Sequence, residues 1–312
     1  MHALELVTNS RSRFFNQQIR HLEAGGVRTT TLAVPGDRDY GGGGVDGRSP
    51  VDYLRFYPTV LRHSFRDYDL VHANYGLTGP AAVAQPSLPV VLSLWGTDLM
   101  GPFGPVSAAC ARLADAVVVM SPEMASRLDG ECHVIPHGVD LDRFAPAPPA
   151  EARAELGWNP SASHVLFPYP AGREVKNYPR AERVVDLARE RVDGDVEFHT
   201  VSGVSHERMP VYMNAADALL LTSRREGSPN SVKEAMACNL PVVSVDVGDV
   251  RARLDGVSPS YVRDSDDGLA TALADVLADG ERSNGREAAR EVSVQRTNER
   301  LREVYRDVVA DA

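Results

Sequence analysis

The sequence predicts an α/β protein with two doubly wound parallel-sheet domains. Short apolar segments alternate with amphipathic helical patterns along the chain, which is typical of strands and helices that follow one another in turn. A proline-rich stretch at 144–152 interrupts the alternation, which then resumes. Because apolar strands that alternate with helices form parallel sheets covered on both faces, each side of the interruption is predicted to be one Rossmann-like domain.

The first domain is predicted to span residues 1–143. Its first helix has Phe15, Ile19 and Leu22 on one face and ends at a pair of glycines. A later helix is expected to begin after Ser121, which can cap its first turn. The apolar segments predict strands at 4–7, 30–34, 69–72, 89–94, 116–120 and 133–135.

The stretch 144–152 is predicted to be a linker, because its three prolines cannot continue a helix or a central strand. A second domain follows at 153–284. Residues 285–312 are predicted to form one charged C-terminal helix, with a return to the first domain as an open alternative. Ligands of such sheets bind beyond the carboxyl ends of the strands, which predicts a site in a cleft between the two domains. The second domain is predicted to have strands at 165–167, 196–199, 218–221 and 241–245 and helices at 179–192, 207–216, 231–239 and 266–279.

The composition excludes several classes of protein. A net charge of −10 argues against a general nucleic-acid binder, which needs a basic surface to neutralise phosphates. Cys110, Cys132 and Cys238 are far apart and form no CxxC pair, so neither a disulfide framework nor a zinc site is predicted. No secretory leader is expected, and no run approaches the ~20 apolar residues of a membrane span. A cytoplasmic protein is therefore expected.

The segment 223–244 carries the most information about function. It contains a turn at 227–230 and a helix that is predicted to open near Ser231. Free N–H groups and the positive dipole at that helix start can bind a diphosphate without a metal. Glu226 before the helix and Glu234 inside it can accept hydrogen bonds from sugar and ribose hydroxyls. Two alternatives stay open: Glu234 forms a capping box with Ser231, and Glu226 is a solvated loop carboxylate.

This segment resembles the EX7E signature of the family 4 retaining glycosyltransferases. The matching residues are Glu226-Gly227, then 234–237 (EAMA) and 240–243 (LPVV). The resemblance covers most of the chain and is weakest at 35–65. It implies the GT-B fold, in which two Rossmann-like domains face each other across a cleft, with neither a metal nor a cofactor. It also implies donor-binding roles for Glu234, Gly227, Ser228, Asn230, Ser231 and Val232.

The activity that the resemblance implies is transfer of a hexose from a nucleotide-diphosphate sugar to a glycan or lipid-linked acceptor. Arg173 and Lys176 resemble the basic pair that holds the donor diphosphate, and two such cations can replace a divalent metal. A solvated basic loop is the alternative. Glu226 is expected to orient the donor sugar, and Glu234 to hold the ribose. The anomeric configuration is expected to be retained by transfer on one face of the sugar.

Two further segments resemble the acceptor side of the same family. In the loop 94–98, Trp95 is expected either to stack on a sugar or to anchor the loop, and Asp98 either to contact the sugar or to hold the loop. His72 resembles a catalytic-side histidine, although Asn74 stands where many relatives have a second histidine. The alternative for His72 is a structural role at the end of a strand.

The first loop and the segment 51–68 are candidates for contact with a lipid, either as a bound acceptor or as a membrane surface. Asn9 and Arg11 stand where many relatives have two glycines, and an arginine there can bind an anionic acceptor such as a lipid phosphate. A plain polar loop is the alternative. An amphipathic helix in 51–68, which Pro58 is expected to kink or split, can rest on the inner face of a membrane or form core. Its predicted aromatic and apolar face comprises Tyr53, Leu54, Tyr57, Leu61, Phe65 and Tyr68.

Other functions compete with sugar transfer as interpretations of this sequence. A GT-B phosphorylase needs a Schiff-base lysine, and the chain has only Lys176 and Lys233. A nucleotide-sugar epimerase shares the fold but lacks the EX7E pattern. A non-catalytic GT-B partner or binding subunit remains open because of the divergent first loop. A nicotinamide dehydrogenase is disfavoured, since no GxGxxG follows the first strand and the glycine run at 41–44 opens no evident helix.

Overall fold

The computed structural model describes residues 1–36 and 49–312, so the glycine run at 41–44 lies outside the described residues. The chain divides into two compact units. Unit 1 comprises Met1–His137 and Val294–Ala312, and unit 2 comprises Gly138–Ser293. The predicted linker therefore belongs to unit 2. Its attachment is visible at Asn214 of unit 2, whose Oδ1 accepts from the Ala147 amide at 2.9 Å and whose Nδ2 donates to the Ala145 carbonyl at 3.0 Å.

Unit 1 contains a six-stranded parallel sheet with the strand order β2-β1-β3-β4-β5-β6. Strands β3, β4 and β5 are buried along their whole length, as expected for a sheet covered on both faces. The six predicted strands are confirmed, with small shifts at their ends. They are β1 (His2–Val7), β2 (Arg28–Ala33), β3 (Leu70–Asn74), β4 (Val90–Leu94), β5 (Ala116–Val119) and β6 (His133–Val134).

The helices of unit 1 that precede its last segment are mostly short. The first buries Phe15 and Leu22 on the predicted face. The second continues through Pro58 rather than splitting, and it buries Phe56 and Val60 rather than the predicted face. They are α1 (Arg13–Ala24), α2 (Pro50–Ser64), α3 (Gly79–Val83), α4 (Thr97–Met100), α5 (Gly104–Ala111) and α6 (Pro122–Ala125).

Unit 2 contains a five-stranded parallel sheet with the strand order β11-β10-β9-β7-β8. Its last strand was not predicted from the sequence. The strands are β7 (Ser163–Phe167), β8 (Val196–Thr200), β9 (Ala218–Leu221), β10 (Val242–Ser244) and β11 (Tyr261–Val262). The helices are α7 (Pro149–Leu156), α8 (Tyr178–Arg189), α9 (Met209–Ala215), α10 (Asn230–Ala237), α11 (Val250–Arg253), α12 (Asp266–Asp279) and α13 (Gly285–Ala289).

The predicted single helix of the C-terminal segment is two helices. After α13, Ser293 adopts an extended conformation, and α14 (Val294–Ala310) then joins unit 1. There it packs against α1, and Arg302 donates a 3.0 Å hydrogen bond to the Gly25 carbonyl. Among the helices of the described residues, none is long and apolar enough to span a bilayer.

Candidate functional site

Two loops of unit 2 meet beyond the carboxyl ends of neighbouring strands. One loop follows β7 and the other follows β9, and these two strands are paired in the sheet. The Thr222 hydroxyl donates to the carbonyls of Lys176 and Asn177, each at 3.2 Å. The Arg224 amide donates to the Val175 carbonyl at 2.9 Å. The segment with the basic pair is thus held against the segment with the first glutamate of the signature.

Lys176 and Glu226 form an ion pair at this junction. The lysine Nζ lies 2.5 Å from Glu226 Oε1, and the side chains are 5 % and 14 % exposed. Burial lowers the pKa of Lys176, while the carboxylate of Glu226 acts in the opposite direction. Nζ also lies 3.7 Å from the centre of the Tyr169 ring, where a cation is attracted to the π face. The pair is therefore fixed in place by its surroundings.

Arg173 lies at the surface of the same loop, just before the turn that contains Lys176. Its positive charge contributes to the lowered pKa of Lys176, which indicates that the two cations act on the same region. Two cations on one loop, one exposed and one largely buried, can bind an anion that enters from solvent.

Tyr169 connects this loop to α10 and was missed from the sequence. Its hydroxyl lies 2.5 Å from Ser231 Oγ. Burial and the nearby Glu226 raise the pKa of Tyr169 far above its ordinary value, so the phenol is neutral. No motif marks this residue, because its role depends on the distant Ser231.

The first turn of α10 has the form expected of an anion site. The helix begins at Asn230 with Pro229 as its N-cap residue, so no side chain of the cap residue covers the first N–H groups. Ser231 lies inside the helix and Val232 is buried beside it. Because the cap is Pro229 and not Ser231, the capping-box interpretation of Ser231 and Glu234 is wrong.

The turn before α10 packs closely against the loop after β10. The Asp249 amide donates to the Gly227 carbonyl at 3.1 Å. A Cβ atom at Gly248 would lie 2.3 Å from that carbonyl oxygen, and the φ angle of Gly248 is +60°, so only glycine fits there. Ser228 Oγ is buried and has no hydrogen-bond partner within residues 1–36 and 49–312.

Glu234 is held by a histidine that the sequence did not indicate. Its Oε1 lies 2.8 Å from His206 Nε2, and both side chains are largely buried. The other ring nitrogen of His206 lies 3.3 Å from Arg143, and its ring packs on Phe144 at 5.0 Å. The carboxylate of Glu234 is therefore oriented from one side.

Unit 1 contains a cavity of about 1140 Å³ that is lined mainly by apolar and aromatic side chains. The predicted acceptor-side residues Asn9, Arg11 and Trp95 contribute to its wall. Asn9 orders the first loop, since its Oδ1 accepts from the Arg11 amide at 3.0 Å. The apolar and aromatic part of the lining comprises Pro50, Tyr53, Leu54, Phe56, Tyr57, Tyr75, Leu77, Pro80, Ala81, Ala84, Phe103 and Val106.

Trp95, in the cavity wall, stands edge-on to two other rings. The ring centres lie 4.8 Å away for His137 and 6.0 Å away for Tyr75. The Tyr75 hydroxyl lies 2.9 Å from Thr97 Oγ1. Trp95 is thus anchored by its neighbours and also lines the cavity, while its stacking on a sugar stays a prediction.

Asp98 holds the loop after β4 rather than lining the cavity. Its buried carboxylate accepts hydrogen bonds from the amides of Gly76, Trp95, Gly96 and Leu99, at 2.7–3.1 Å. Burial raises the pKa of Asp98, and the N–H groups of Gly76, Trp95 and Gly96 oppose that rise. The structure therefore favours the loop-holding interpretation over contact with a sugar.

His72 is fully buried in the core of unit 1. Nδ1 lies 2.6 Å from the Tyr305 hydroxyl and Nε2 lies 2.7 Å from Ser93 Oγ. Glu5 completes the network by accepting from Tyr305 at 2.9 Å and from Asn74 at 2.7 Å. Because both ring nitrogens are bonded within the core, the structure favours the structural interpretation of His72 over a direct role in catalysis. It joins the sheet to α14.

Two family models match the chain. The model described as Glycosyltransferase Family 4 matches residues 12–143, and the model described as Glycosyl transferases group 1 matches residues 171–279. The teichuronic acid biosynthesis glycosyltransferase TuaC of Bacillus subtilis (strain 168) is 30 % identical over 58 % of this chain. The match spans 54 % of that relative, so this chain corresponds to about half of its length.

Solved structures share the architecture over the whole chain. Sucrose-phosphate synthase from Thermosynechococcus elongatus has a TM-score of 0.77 at 19 % identity and covers 100 % of both chains. HepE of Anabaena, in a complex with UDP-glucose, has a TM-score of 0.67 at 17 % identity over 98 % of this chain and 100 % of its own. These likenesses confirm the predicted fold class, GT-B with two parallel-sheet α/β domains.

Proposed function

The chain belongs to the group 1 glycosyltransferases of family 4, and on that premise we propose that it transfers a hexose from a nucleotide-diphosphate sugar with retention of anomeric configuration. The observation that carries this proposal is the buried pair of Lys176 and Glu226 next to the first turn of α10. The UDP-glucose complex of HepE supports a nucleotide-sugar donor and makes UDP-hexoses the first donors to test.

The donor diphosphate is proposed to lie at the first turn of α10. The N–H groups there and the helix dipole attract the phosphate oxygens, and Arg173 and Lys176 supply positive charge from the neighbouring loop. When the diphosphate binds, the three donors of the Lys176 ammonium are divided between Glu226 and a phosphate oxygen. These groups neutralise the leaving group, so that the transfer step needs no metal or cofactor.

The two glutamates are proposed to bind the neutral parts of the donor. Glu226 is held through one carboxylate oxygen by Lys176, which directs the other oxygen toward hydroxyls of the hexose. Glu234 is oriented by His206 and accepts hydrogen bonds from the ribose. Gly227, Ser228, Asn230, Ser231 and Val232 shape the turn that separates these two carboxylates.

The transfer step is proposed to proceed on one face of the hexose. The bond between the anomeric carbon and the diphosphate oxygen breaks, and the acceptor oxygen bonds to the same face of that carbon. The acceptor proton passes to the departing phosphate oxygen. The chain contributes charge neutralisation and positioning to this step.

The acceptor is proposed to be amphipathic and lipid-linked, and to bind in the cavity of unit 1. Arg11 and Arg13 line one part of this cavity and complement a phosphate. Leu54, Phe103 and Val106 also line it, although they are well exposed to solvent. Exposed apolar side chains around an apolar cavity are typical of a membrane-facing site, and we propose that the protein acts in the cytoplasm, on the inner face of a membrane.

The test of sugar transfer uses Glu226→Gln, with Glu174→Gln as the matched control. Glu174 lies in the adjacent loop, where its highly exposed carboxylate contacts Arg224 at 3.3 Å. With a UDP-hexose and a phosphorylated lipid acceptor, we expect Glu226→Gln to lose transfer at least about a hundredfold while Glu174→Gln retains it. Equal transfer by wild type and Glu226→Gln, with the fold intact by circular dichroism, contradicts the proposal.

The test of the acceptor site uses sedimentation with vesicles of phosphatidylcholine, with and without phosphatidylglycerol. We expect binding to the anionic vesicles, and weaker binding for Leu54→Ser combined with Phe103→Ser. Leu113→Ser is the control, since Leu113 is exposed in unit 1 and does not line the cavity. Equal binding by wild type, the double variant and the control contradicts the membrane-facing site. That result does not bear on the proposed donor site.

A further inference from the structure

A second cluster of polar side chains lies in unit 2, on the paired strands β7 and β8. His164 belongs to β7, and Glu197 and His199 belong to β8. Glu197 and His199 are two residues apart on one strand, so their side chains point to the same face of the sheet. His164 pairs with Glu197 in the strand register. The sheet therefore brings two imidazoles and one carboxylate together.

The three side chains converge on one point. His164 Nδ1 lies 2.9 Å from His199 Nε2 and 3.6 Å from Glu197 Oε2, and His199 Nε2 lies 3.4 Å from Glu197 Oε2. Two ligand atoms of a tetrahedral zinc ion lie about 3.3 Å apart, given bond lengths of about 2.0–2.1 Å. The two distances to the carboxylate exceed ordinary hydrogen-bond lengths, so hydrogen bonding alone does not account for the position of Glu197.

The surroundings of the histidines resemble the support of a metal site. His164 Nε2 lies 2.8 Å from the Asn159 carbonyl, which fixes this nitrogen as the donor and leaves the lone pair of Nδ1 facing the other two ligands. The ring of Trp158 stacks on His199 with its centre 3.6 Å away and the planes 8° apart. Both imidazoles are thus oriented before any ion binds.

We propose that His164, Glu197 and His199 form a binding site for one zinc ion, with water as the fourth ligand. Two histidines and one carboxylate are a common zinc ligand set. The Glu197 side chain is 37 % exposed, which gives an ion access from solvent. This is the one such group of three potential ligands in the described part of the chain, and it departs from the prediction that no residue binds metal.

The bound ion has a structural role in this proposal. Strand β8 is at the edge of the sheet, next to β7, and the ion would tie it to its neighbour. The loop that contains Arg173 and Lys176 follows β7, whereas His164 stands near the beginning of that strand. Transfer therefore does not use this ion, and failure of the zinc site would leave the proposed sugar transfer standing.

The test exploits the position of Trp158 beside His199. In untagged protein carrying Trp95→Phe, Trp158 is the only tryptophan, so quenching of its fluorescence by Co²⁺ reports an ion bound next to it. We expect saturable quenching with one ion per chain, reversal by Zn²⁺, and a rise in melting temperature with Zn²⁺ of about 3 °C or more. A cobalt spectrum without a thiolate band excludes Cys132 as a ligand.

Two variants and one control decide the outcome. His199→Asn and Glu197→Gln should each weaken Zn²⁺ binding at least about tenfold and abolish the rise in melting temperature. His133→Asn, which replaces an exposed histidine of unit 1, should behave as wild type. If wild type shows no saturable quenching, or if both folded variants bind Zn²⁺ as tightly as wild type, the cluster is a metal-free packing arrangement and the proposal is overturned.

Discussion

Replacing Lys176 with methionine tests whether the buried ion pair of Lys176 and Glu226 stabilises unit 2. Methionine keeps most of the side-chain volume but leaves the carboxylate of Glu226, which is only 14 % exposed, without its partner. Breaking one side of a buried ion pair costs about 3–5 kcal/mol. We expect about 3 kcal/mol of lost unfolding free energy, because the remaining exposure of Glu226 allows some hydration.

The reverse change, Glu226→Gln, should cost less. The ammonium of Lys176 would still lie 3.7 Å from the centre of the Tyr169 ring, and such contacts contribute about 1–2 kcal/mol when desolvated. We expect a loss of about 1–2 kcal/mol for this variant. The double variant removes both charges and should lose about 2 kcal/mol, which leaves a coupling free energy of about 2–3 kcal/mol between the two positions.

The assay is urea unfolding followed by Trp158 fluorescence in the Trp95→Phe background, so that the signal comes from unit 2 alone. Transfer activity should be lost in all three variants, although their losses of stability differ. Stability and activity depend on different properties of the pair. A loss of stability in the double variant that equals the sum of the single losses would show that the two groups act independently. That result refutes the reasoning.

Three further predictions concern other groups. Glu234→Gln and His206→Asn should each raise the KM for the donor about tenfold with a smaller effect on kcat, since a hydrogen bond to a charged group contributes about 1.5–3 kcal/mol; equal KM values contradict this role. His72→Asn should lower the unfolding free energy of unit 1 by about 2 kcal/mol while kcat of the folded protein stays near wild type, and a large fall in kcat contradicts the structural role. Burial and His164 lower the pKa of His199 to about 4, so between pH 4 and 6.5 the unfolded state binds more protons at this group than the folded state does. Metal-free unit 2 should therefore lose about 2 kcal/mol of unfolding free energy from pH 7 to pH 5. His199→Asn should remove that loss.

The strands and their order in the chain were predictable because their signal is local. Runs such as 116–119 and 218–221 consist of apolar residues that remain buried on both faces of a sheet, and this pattern needs no knowledge of the rest of the fold. The two-residue β11 lacked such a run. The return of α14 to unit 1 depends on long-range packing, and the sequence left it open.

The apolar periodicity of the sequence did not predict which face of α2 is buried. Phe56, Val60 and Ser64 face the core, while Leu54 is well exposed. The aromatic residues of this segment are spread around the helix, so several apolar faces fit the sequence nearly as well. The choice among them is made by neighbouring elements such as α3, against which the helix packs, and that information is not local.

The site residues also divide into those that local motifs predict and those that depend on distant contacts. Glu226, Lys176 and the start of α10 were predictable from their motifs, and the structure brings them together. Tyr169 and His206 were missed because each acts through a residue that is distant in the chain. The position of His72 at a strand matched a family pattern, but its structural partners could not be predicted, because Glu5 and Tyr305 lie near opposite ends of the sequence.

Binding of nucleoside diphosphates in the presence of EDTA tests the central claim most directly. Isothermal titration of UDP, GDP and ADP should show one of them binding without metal, with at least about tenfold weaker binding by Arg173→Gln and by Lys176→Met. Glu174→Gln should bind as wild type. Absence of binding by all three nucleotides in EDTA, or equal affinity of wild type and the Arg173 and Lys176 variants, would contradict a metal-independent diphosphate site at the start of α10.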